Sequence, residues 1–323
     1  MLELELTAED LAYTRFSLSP LWEVVASVQV LKGPGTHPVH HPWAGQVRPR
    51  LVGVDWHLLS DLVPVPARTL PGFIAPPQPT LVPDLEVELA ALRAVPAEQV
   101  RAGLAALPAP RPGSLAVLHD DPPRGLALLA ETIRGYWEVA LAPYWPRILS
   151  LLEGEILHRA RLLAEGGAHR LLNDLDPAVR WEADRLRVAH RFTSETVRLD
   201  GRGLLLAPSV FIWPRVASIV VPPWQPTLRY PPRGTGTLWE HRDRDAPRAL
   251  ARVVGRTRAM LLAGLDSPAA TVTLARRTGL TPGAVSQHLT ALRDANLVSA
   301  HRTGRFVLYA RTRVAEALLA SSA

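Results

Sequence analysis

The stretch Leu274–Thr312 constrains the fold of this chain more than any other stretch. Its first helix is predicted to end at Thr278, because the following Gly279 can adopt the left-handed conformation that terminates many helices. Two residues later, Thr281 offers a hydroxyl for the N-cap of a second helix. Pro282 follows at the first helical position, where its missing N–H leaves no hydrogen bond unmade. The pattern therefore predicts two helices joined by a short turn.

The second predicted helix has one narrow apolar stripe and a polar opposite face. The apolar residues recur at i, i+4 and i+7; they are Val285, Leu289 and Leu292. The residues of the opposite face are small or hydrogen-bonding, and none is acidic; they are Gly283, Ala284, Ser286, Gln287 and Thr290. Two helices joined by a turn of about three to four residues that contains glycine form the helix-turn-helix pattern, whose second helix enters the major groove of DNA.

Two short strands are predicted after this helix. The first begins at Leu297 and Val298, a tight turn lies at Thr303-Gly304, and the second strand covers Phe306–Tyr309. A cluster of basic residues lies at the tip of this hairpin: His301, Arg302 and Arg305. A helix-turn-helix followed by a basic two-stranded hairpin is typical of a winged helix.

The segment TPGAVSQHLTALRDANLV, followed by RTGRFVLY, resembles the ArsR-type family of bacterial winged-helix repressors. The resemblance covers Pro247–Leu319, about a quarter of the chain. It implies that a first helix, Pro247–Leu265, and a last helix, Val314–Ala320, pair with their copies in a homodimer. Such a dimer presents two recognition helices ~34–36 Å apart, which implies a pseudo-palindromic operator in double-stranded DNA.

Candidate DNA contacts follow from this arrangement. Ser286 and Gln287 are predicted to contact bases, and the Gln287 amide suits the bidentate edge of adenine. Gly283 and Ala284 would allow a close approach to the groove, and His288 either touches DNA or packs at the helix interface. Four arginines are predicted to contact phosphates or, for the last two, the minor groove; they are Arg276, Arg277, Arg302 and Arg305. The remaining candidates are Thr281 and Thr290. The alternative is that Ser286 and Gln287 form only a solvated helix face.

The charge distribution favours DNA binding at the same end of the chain. The net charge of the chain is +6, and residues 241–323 hold 13 Arg and five acidic residues. Residues 1–240 hold 23 basic and 25 acidic residues. The positive charge therefore belongs to the winged-helix end, as a phosphate-binding surface requires.

The chain is predicted to be an α+β protein with two domains, residues 1–240 and residues 241–323. Its 323 residues can form two cores. Helical patterns dominate Asp84–Glu165. Strand patterns after Asp176 predict a small antiparallel sheet packed on these helices, with a hairpin turn at Asp200-Gly201.

Residues 1–240 resemble an uncharacterised type of domain found ahead of ArsR-type winged helices. The resembling stretches are DLAYTRFSLSPLWEVVASV and GRGLLLAPSVFIWP. The resemblance implies no particular activity. All nine Trp residues of the chain lie in this region. Tryptophans at this density either fill a core or line an apolar pocket for a small molecule, and the sequence leaves both alternatives open.

The metal sites known in ArsR-type sensors are missing from this chain. The chain has no Cys, and Ala270 and Val272 occupy the positions of the paired cysteines. The last helix contains Glu316 as its only ligand-type residue. The remaining candidates lie in or near the predicted loop Gly33–Pro49; they are His37, His40, His41 and His57. We interpret this group as part of a polar loop, and no metal or other cofactor is expected.

Sequence patterns of common enzymes are also missing: the chain has no GxSxG, no GxxxxGK and no Rossmann glycine motif. No segment reaches the ~18 consecutive apolar residues of a membrane span, and the N-terminal MLELELTAED does not resemble a secretory signal. We therefore expect a cytoplasmic, homodimeric, non-enzymatic transcriptional repressor. Its operator binding would respond to a ligand or partner of residues 1–240. Two alternatives remain: a metal-responsive regulator that uses the histidine loop, and an enzyme domain tethered to DNA.

Overall fold

The computed structural model describes residues 1–33, 37–66, 70–78, 80–108, 112–190, 194–239, 248–265, 268–303 and 306–321. Contacts divide the chain into two units. The first unit comprises Met1–Trp145 and Glu155–Trp239, and the second comprises Pro146–Gly154 and Glu240–Ala323. Helices and strands occur in both, which confirms the predicted α+β class.

The first unit begins with a short strand and contains most of the helices. Its α-helices are α1 (Ala8–Ala12), α2 (Pro20–Lys32), α3 (His41–Val47), α4 (His57–Leu62), α5 (Leu85–Arg93), α6 (Ala97–Ala105), α7 (Ala116–Asp120), α8 (Pro122–Ala140) and α9 (Trp145–Asn173), the last of which includes the segment Pro146–Gly154 of the second unit. Side-chain caps explain where two of these helices begin. Thr7 and Asp10 form the predicted capping box of α1, and the Ser19 hydroxyl accepts a hydrogen bond from the amide of Trp22 at the start of α2.

Two four-stranded sheets are formed by the residues of the first unit that the structure describes. Their strands are β1 (Leu2–Glu5), β2 (Arg15–Phe16), β3 (Val179–Glu182), β4 (Arg185–Val188), β5 (Glu195–Arg198), β6 (Leu205–Pro208), β7 (Ala217–Ile219) and β8 (Thr227–Tyr230). One sheet has the order β3-β4-β1-β5, and the other has the order β2-β6-β8-β7. Antiparallel pairing, as predicted, joins β3 to β4, β4 to β1 and β7 to β8. The pairs β1–β5, β2–β6 and β6–β8 are parallel. The first two arise because a strand from the N-terminus enters each sheet.

The turn at Asp200-Gly201 has the predicted backbone conformation but not the predicted role. Asp200 has φ 52° and Gly201 has φ 78°, the positive values that a tight hairpin turn requires. However, β5 and β6 on either side of the turn belong to different sheets. The hairpin prediction was therefore wrong, since turn residues determine local dihedrals and not the partner of the next strand.

The loop predicted at Gly33–Pro49 is largely helical, and that prediction was also wrong. It contains a 3₁₀ turn at Pro38–His40 and α3, and a second 3₁₀ segment, Arg48–Gly53, follows. The reason is burial: the indole of Trp43 is fully buried and donates a hydrogen bond to the carbonyl of Ala140 over 2.9 Å. This anchor overrides the loop-like composition.

Three charged side chains are buried in the first unit near the N-terminus of α2. Glu23 accepts hydrogen bonds from the amides of Val210 and Phe211, and Glu88 accepts one from the amide of Leu21. The guanidinium of Arg229 lies 3.9 Å from the ring centroid of Trp22. Burial raises the pKa of Glu23 and the pKa of Glu88, each to about 7.

These pKa values predict a pH-dependent stability. A carboxyl whose folded pKa lies above its unfolded value of ~4.3 favours the folded state when protonated. Its contribution is complete below the unfolded pKa and is lost as the pH rises toward 7. The Glu88→Gln variant should therefore gain stability relative to the wild type by about 1–3 kcal/mol as the pH rises from about 5 to 8. Urea unfolding followed by tryptophan fluorescence measures this difference.

The exposed Glu98 provides the matched control for this prediction. Glu98→Gln should leave the difference from wild type independent of pH. A difference between Glu88→Gln and wild type that also stays constant from pH 5 to 8 would contradict the buried, proton-binding state of Glu88.

The described residues of the second unit form five further α-helices and a three-stranded sheet. They are α10 (Arg248–Val254), α11 (Arg256–Gly264), β9 (Ala269–Ala270), α12 (Thr271–Thr278), α13 (Pro282–Asp294), β10 (Val298–Thr303), β11 (Phe306–Arg311) and α14 (Arg313–Ser321). A single helix was predicted for Pro247–Leu265, and this prediction was wrong. Gly255, with φ 89°, separates α10 from α11, because glycine adopts a positive φ at no steric cost. Pro247 lies outside the described residues.

In the part of the chain that the structure describes, no helix is both long enough and apolar enough to cross a membrane.

Candidate nucleic-acid interface

The turn between α12 and α13 has the geometry that the sequence predicts. Gly279 ends α12 in the left-handed conformation, with φ 70° and ψ 13°. The Thr281 hydroxyl accepts a hydrogen bond from the amide of Ala284 over 3.3 Å, and Pro282 occupies the first turn of α13. Both helix ends at the turn are therefore determined by the residues that occupy them.

The N-cap of α13 is open to a direct test. Thr281→Ala removes the acceptor for an amide in the first turn and should destabilise α13 by about 0.5–2 kcal/mol. Hydrogen exchange of the α13 amides in the full chain measures this loss locally. Thr290→Ala, an exposed threonine of the same helix, is the control and should leave exchange unchanged. Equal exchange in the two variants would contradict the capping role of Thr281.

One face of α13 is buried in the second unit, and the other is open. Val285 and Leu289 are 0% exposed and Leu292 is 1% exposed. They pack in a core with residues of α11, α12 and β10 that includes Leu261, Leu274 and Val298. Gly283, Ser286, Gln287 and Thr290 are exposed, whereas Ala284 and His288 are half-buried. Within the described part of the second unit, Ser286 and Gln287 are therefore not covered by the three-stranded sheet.

The hairpin after α13 is a wing with a third strand. β10 and β11 pair antiparallel from Val298 opposite Arg311 to Thr303 opposite Phe306, and β9 pairs with β11. Arg302 is exposed near the tip. His301 is half-buried, and its Nε2 lies 3.0 Å from the hydroxyl of Ser299. Arg305 lies outside the described residues, so its predicted contact with DNA stays a prediction.

The other arginines of the second unit differ in their surroundings. Arg276 is exposed. Arg277 is half-buried, and its Nη1 donates to the carbonyl of Gly264 over 3.3 Å at the end of α11. Arg293 lies 3.7 Å from Asp294, an exposed pair. Arg276 is therefore freer than Arg277 to reach a phosphate.

Arg311 has a structural role that the sequence analysis did not identify. Its Nε and Nη2 donate to the carbonyls of Leu262 and Ala263, each over 2.7 Å. These carbonyls lie in the last turn of α11, where the regular helical hydrogen bonds end, and the Leu262 carbonyl also accepts from the amide of Leu265. Arg311 thereby ties the wing to α11. An arginine inside a strand pattern gives no local sign of such a partner 48 residues away.

The histidines considered for metal binding lie in the first unit, and two of them are buried. The Nδ1 atom of His37 is 2.8 Å from the carbonyl of Trp213, and the Trp239 indole donates to Nδ1 of His40 over 2.9 Å. Burial lowers the pKa of His40 to about 3, so its imidazole is neutral. The polar-loop interpretation was therefore wrong for His37 and His40. Among the described residues, no group of three His, Cys, Asp or Glu side chains is placed to hold a metal ion.

Comparison with known proteins gives two family matches. Residues 260–300 match the family described as bacterial regulatory protein, arsR family. Residues 105–236 match a family of unknown function, DUF5937. Neither the curated proteins nor the solved structures give a match.

The first match covers α12, α13 and the start of the wing, the same elements that form the open helix face and its support. The second lies within the predicted N-terminal domain. The chain thus carries an ArsR-family helix-turn-helix, the domain of a DNA-binding transcriptional regulator, behind a domain of a family of unknown function.

Proposed function

We propose that this protein is a homodimeric transcriptional repressor that binds a pseudo-palindromic operator through α13. The observation that carries the proposal is the contrast between the two faces of α13. Val285 and Leu289 are 0% exposed, while Ser286 and Gln287 are exposed on a helix with no acidic residue before Asp294. A face that is only solvated could carry acidic side chains, whereas their absence beside a basic wing favours contact with phosphates.

The proposed contacts divide into two kinds. Gln287 and Ser286 contact base edges in the major groove, and Gly283 and Ala284 let the helix approach closely. Arg276 and Arg302 contact the phosphate backbone or, for Arg302, the minor groove. The remaining members of the surface are Arg277, Thr281, His288, Thr290 and Arg305.

Apolar residues exposed on α10 and α14 support the homodimer. Val253 is 83% exposed, Val314 is 51% exposed and Leu318 is 37% exposed. In the ArsR-type arrangement these two helices pair with their copies in a second chain. Dimerisation would bury these side chains and bring two copies of α13 to one face of the duplex.

The first unit is the proposed site of regulation. The protein is proposed to act in the cytoplasm. A ligand or partner can change operator affinity only if it binds the DNA-competent and DNA-incompetent states with different affinities. The Nδ1 atoms of His37 and His40 each have a hydrogen-bond partner inside a packed core, and these bonds argue against the metal-responsive alternative. No observation favours catalysis by the first unit.

Two substitutions test the division of contacts. Gln287→Ala should relax sequence preference at one base pair by about 1–3 kcal/mol, because the bidentate contact to that base is lost. Arg302→Ala should weaken binding to all duplexes and make the salt dependence shallower by about one phosphate contact. Fluorescence anisotropy with operator variants at several salt concentrations measures both effects.

Arg161→Ala is the control for the arginine substitution, since it removes an exposed arginine of the first unit. It should change neither the affinity nor its salt dependence. Equal losses on every duplex from Gln287→Ala and Arg302→Ala would contradict the assignment of base contact to Gln287.

A further inference from the structure

A cavity of about 370 Å³ opens on the first unit where the start of α5, the C-terminal part of α8 and the start of α9 meet. Its walls combine aromatic and charged side chains. They include Pro83, Asp84, Arg134, Trp137, Glu138 and Trp145. The volume lies within the range of small-molecule sites.

Two indoles supply the apolar wall of this cavity. The rings of Trp137 and Trp145 have centroids 5.0 Å apart at an interplanar angle of 62°, and both side chains are half-buried. An aromatic pair that only fills a core is covered by other side chains, whereas this pair borders an open cavity. Indole faces carry negative potential and attract cations, indoles more strongly than other aromatic rings.

The charged groups make the cavity negative. Among the described residues of its walls the one cation is Arg134, which is already neutralised. Its Nε and Nη2 donate to the two carboxylate oxygens of Glu86 over 2.8 and 2.7 Å. Its Nη1 donates to Glu131 over 2.5 Å. Asp84 and Glu138 remain exposed at the cavity. A cationic ligand would therefore meet two carboxylates that Arg134 does not neutralise, of which Asp84 also caps α5 by accepting from the amides of Glu86 and Val87.

We propose that this cavity binds an organic cation, an ammonium group with apolar substituents. The indoles of Trp137 and Trp145 would contact it on one side, and the carboxylates of Asp84 and Glu138 on the other. Carboxylate repulsion excludes anions of the same size. Neutral molecules lose both the cation–π attraction and the ionic attraction.

The position of Trp145 connects this site with regulation, a step that rests on the proposed function. Trp145 begins α9 and lines the cavity, while the next residues of the same helix, Pro146–Gly154, belong to the second unit. Within the second unit, the Ser150 hydroxyl donates to the carbonyl of Pro268 over 2.9 Å, just before β9 of the wing sheet. A cation bound at Trp145 would thus act on the residue that directly precedes the α9 segment of the second unit.

Calorimetric titration of the full chain with benzyltrimethylammonium tests the site. We expect this probe to bind at least about tenfold more tightly than phenylacetate, an anion of similar size. Trp137→Leu should weaken binding of the cation about tenfold, and Glu138→Gln should weaken it about threefold to tenfold. The controls are Trp56→Leu and Glu98→Gln, which alter a tryptophan and a glutamate outside the cavity; they should leave the affinity unchanged.

Equal affinity for phenylacetate and the cation would overturn the proposal, as would wild-type binding by Trp137→Leu with its native circular dichroism retained. Operator affinity measured with saturating benzyltrimethylammonium separates this inference from the proposed function. Cation binding without a change in operator affinity would support the proposed cation site and contradict the regulatory step. Operator binding by a chain that does not bind the cation would contradict the proposed cation site and support the DNA-binding function.

Discussion

Replacing Arg159 with alanine should reduce the free energy of unfolding of the first unit by about 3–5 kcal/mol, because the buried carboxylate of Glu155 loses its shorter ion pair. Glu155 keeps the longer pair with Arg233, at 3.7 Å. The side chains of Arg159 and Glu155 are each 1% exposed, and Arg159 Nε donates to Glu155 Oε1 over 2.5 Å. Arg159 also donates to the carboxylate of Asp174 and, over 2.6 Å, to its backbone carbonyl. One guanidinium therefore holds α9 against the segment that leads into β3.

Urea unfolding followed by tryptophan fluorescence measures this loss. Arg161→Ala is the matched control, since Arg161 is exposed on the same helix two residues away. It should unfold like the wild type. If Arg159→Ala also unfolds like the wild type, the buried ion pair does not hold α9 as the structure indicates.

Replacing Leu289 with alanine should destabilise the second unit by about 2–5 kcal/mol, the usual range for truncating a fully buried leucine. Leu289 is 0% exposed, and its core includes Leu262, Leu274 and Leu292. The space left by the truncated Leu289 side chain would loosen α13 from α11 and α12, so operator binding should fall together with stability. Hydrogen exchange of the second unit and anisotropy with an operator duplex measure the two effects.

Val272→Ala is the control for this substitution, because Val272 is an aliphatic residue of the same unit that is 52% exposed. It should preserve both exchange and operator binding. Faster exchange throughout the first unit in Leu289→Ala would also contradict the account, since that unit has its own core.

The helix-turn-helix could be predicted from the sequence because its determinants are local. Gly279, Thr281 and Pro282 determine helix ends through their own backbone and side-chain chemistry, and the spacing of Val285 and Leu289 determines the buried face. The wing followed from strand patterns around one turn. These features need no knowledge of distant residues.

The features that could not be predicted from the sequence depend on partners that are distant along the chain. β1 lies between β4 and β5, strands at least 180 residues away, and no pattern in Leu2–Glu5 specifies that position. His40 is buried because Trp239 hydrogen-bonds it across 199 residues. Arg277 was assigned to phosphates from its charge alone, whereas the structure also gives it the carbonyl of Gly264. The cavity at Trp137 and Trp145 was one of two alternatives that the tryptophan content left open.

Binding of a specific duplex by the exposed face of α13 can be measured with the full chain. Duplexes are selected from a random pool and then titrated against a shuffled sequence at several salt concentrations. We expect an enriched pseudo-palindrome, an affinity at least ~10³-fold above that for the shuffled duplex, and a steep loss of affinity with salt. Enrichment of no sequence, with equal affinity for both duplexes at every salt concentration, would contradict this proposal.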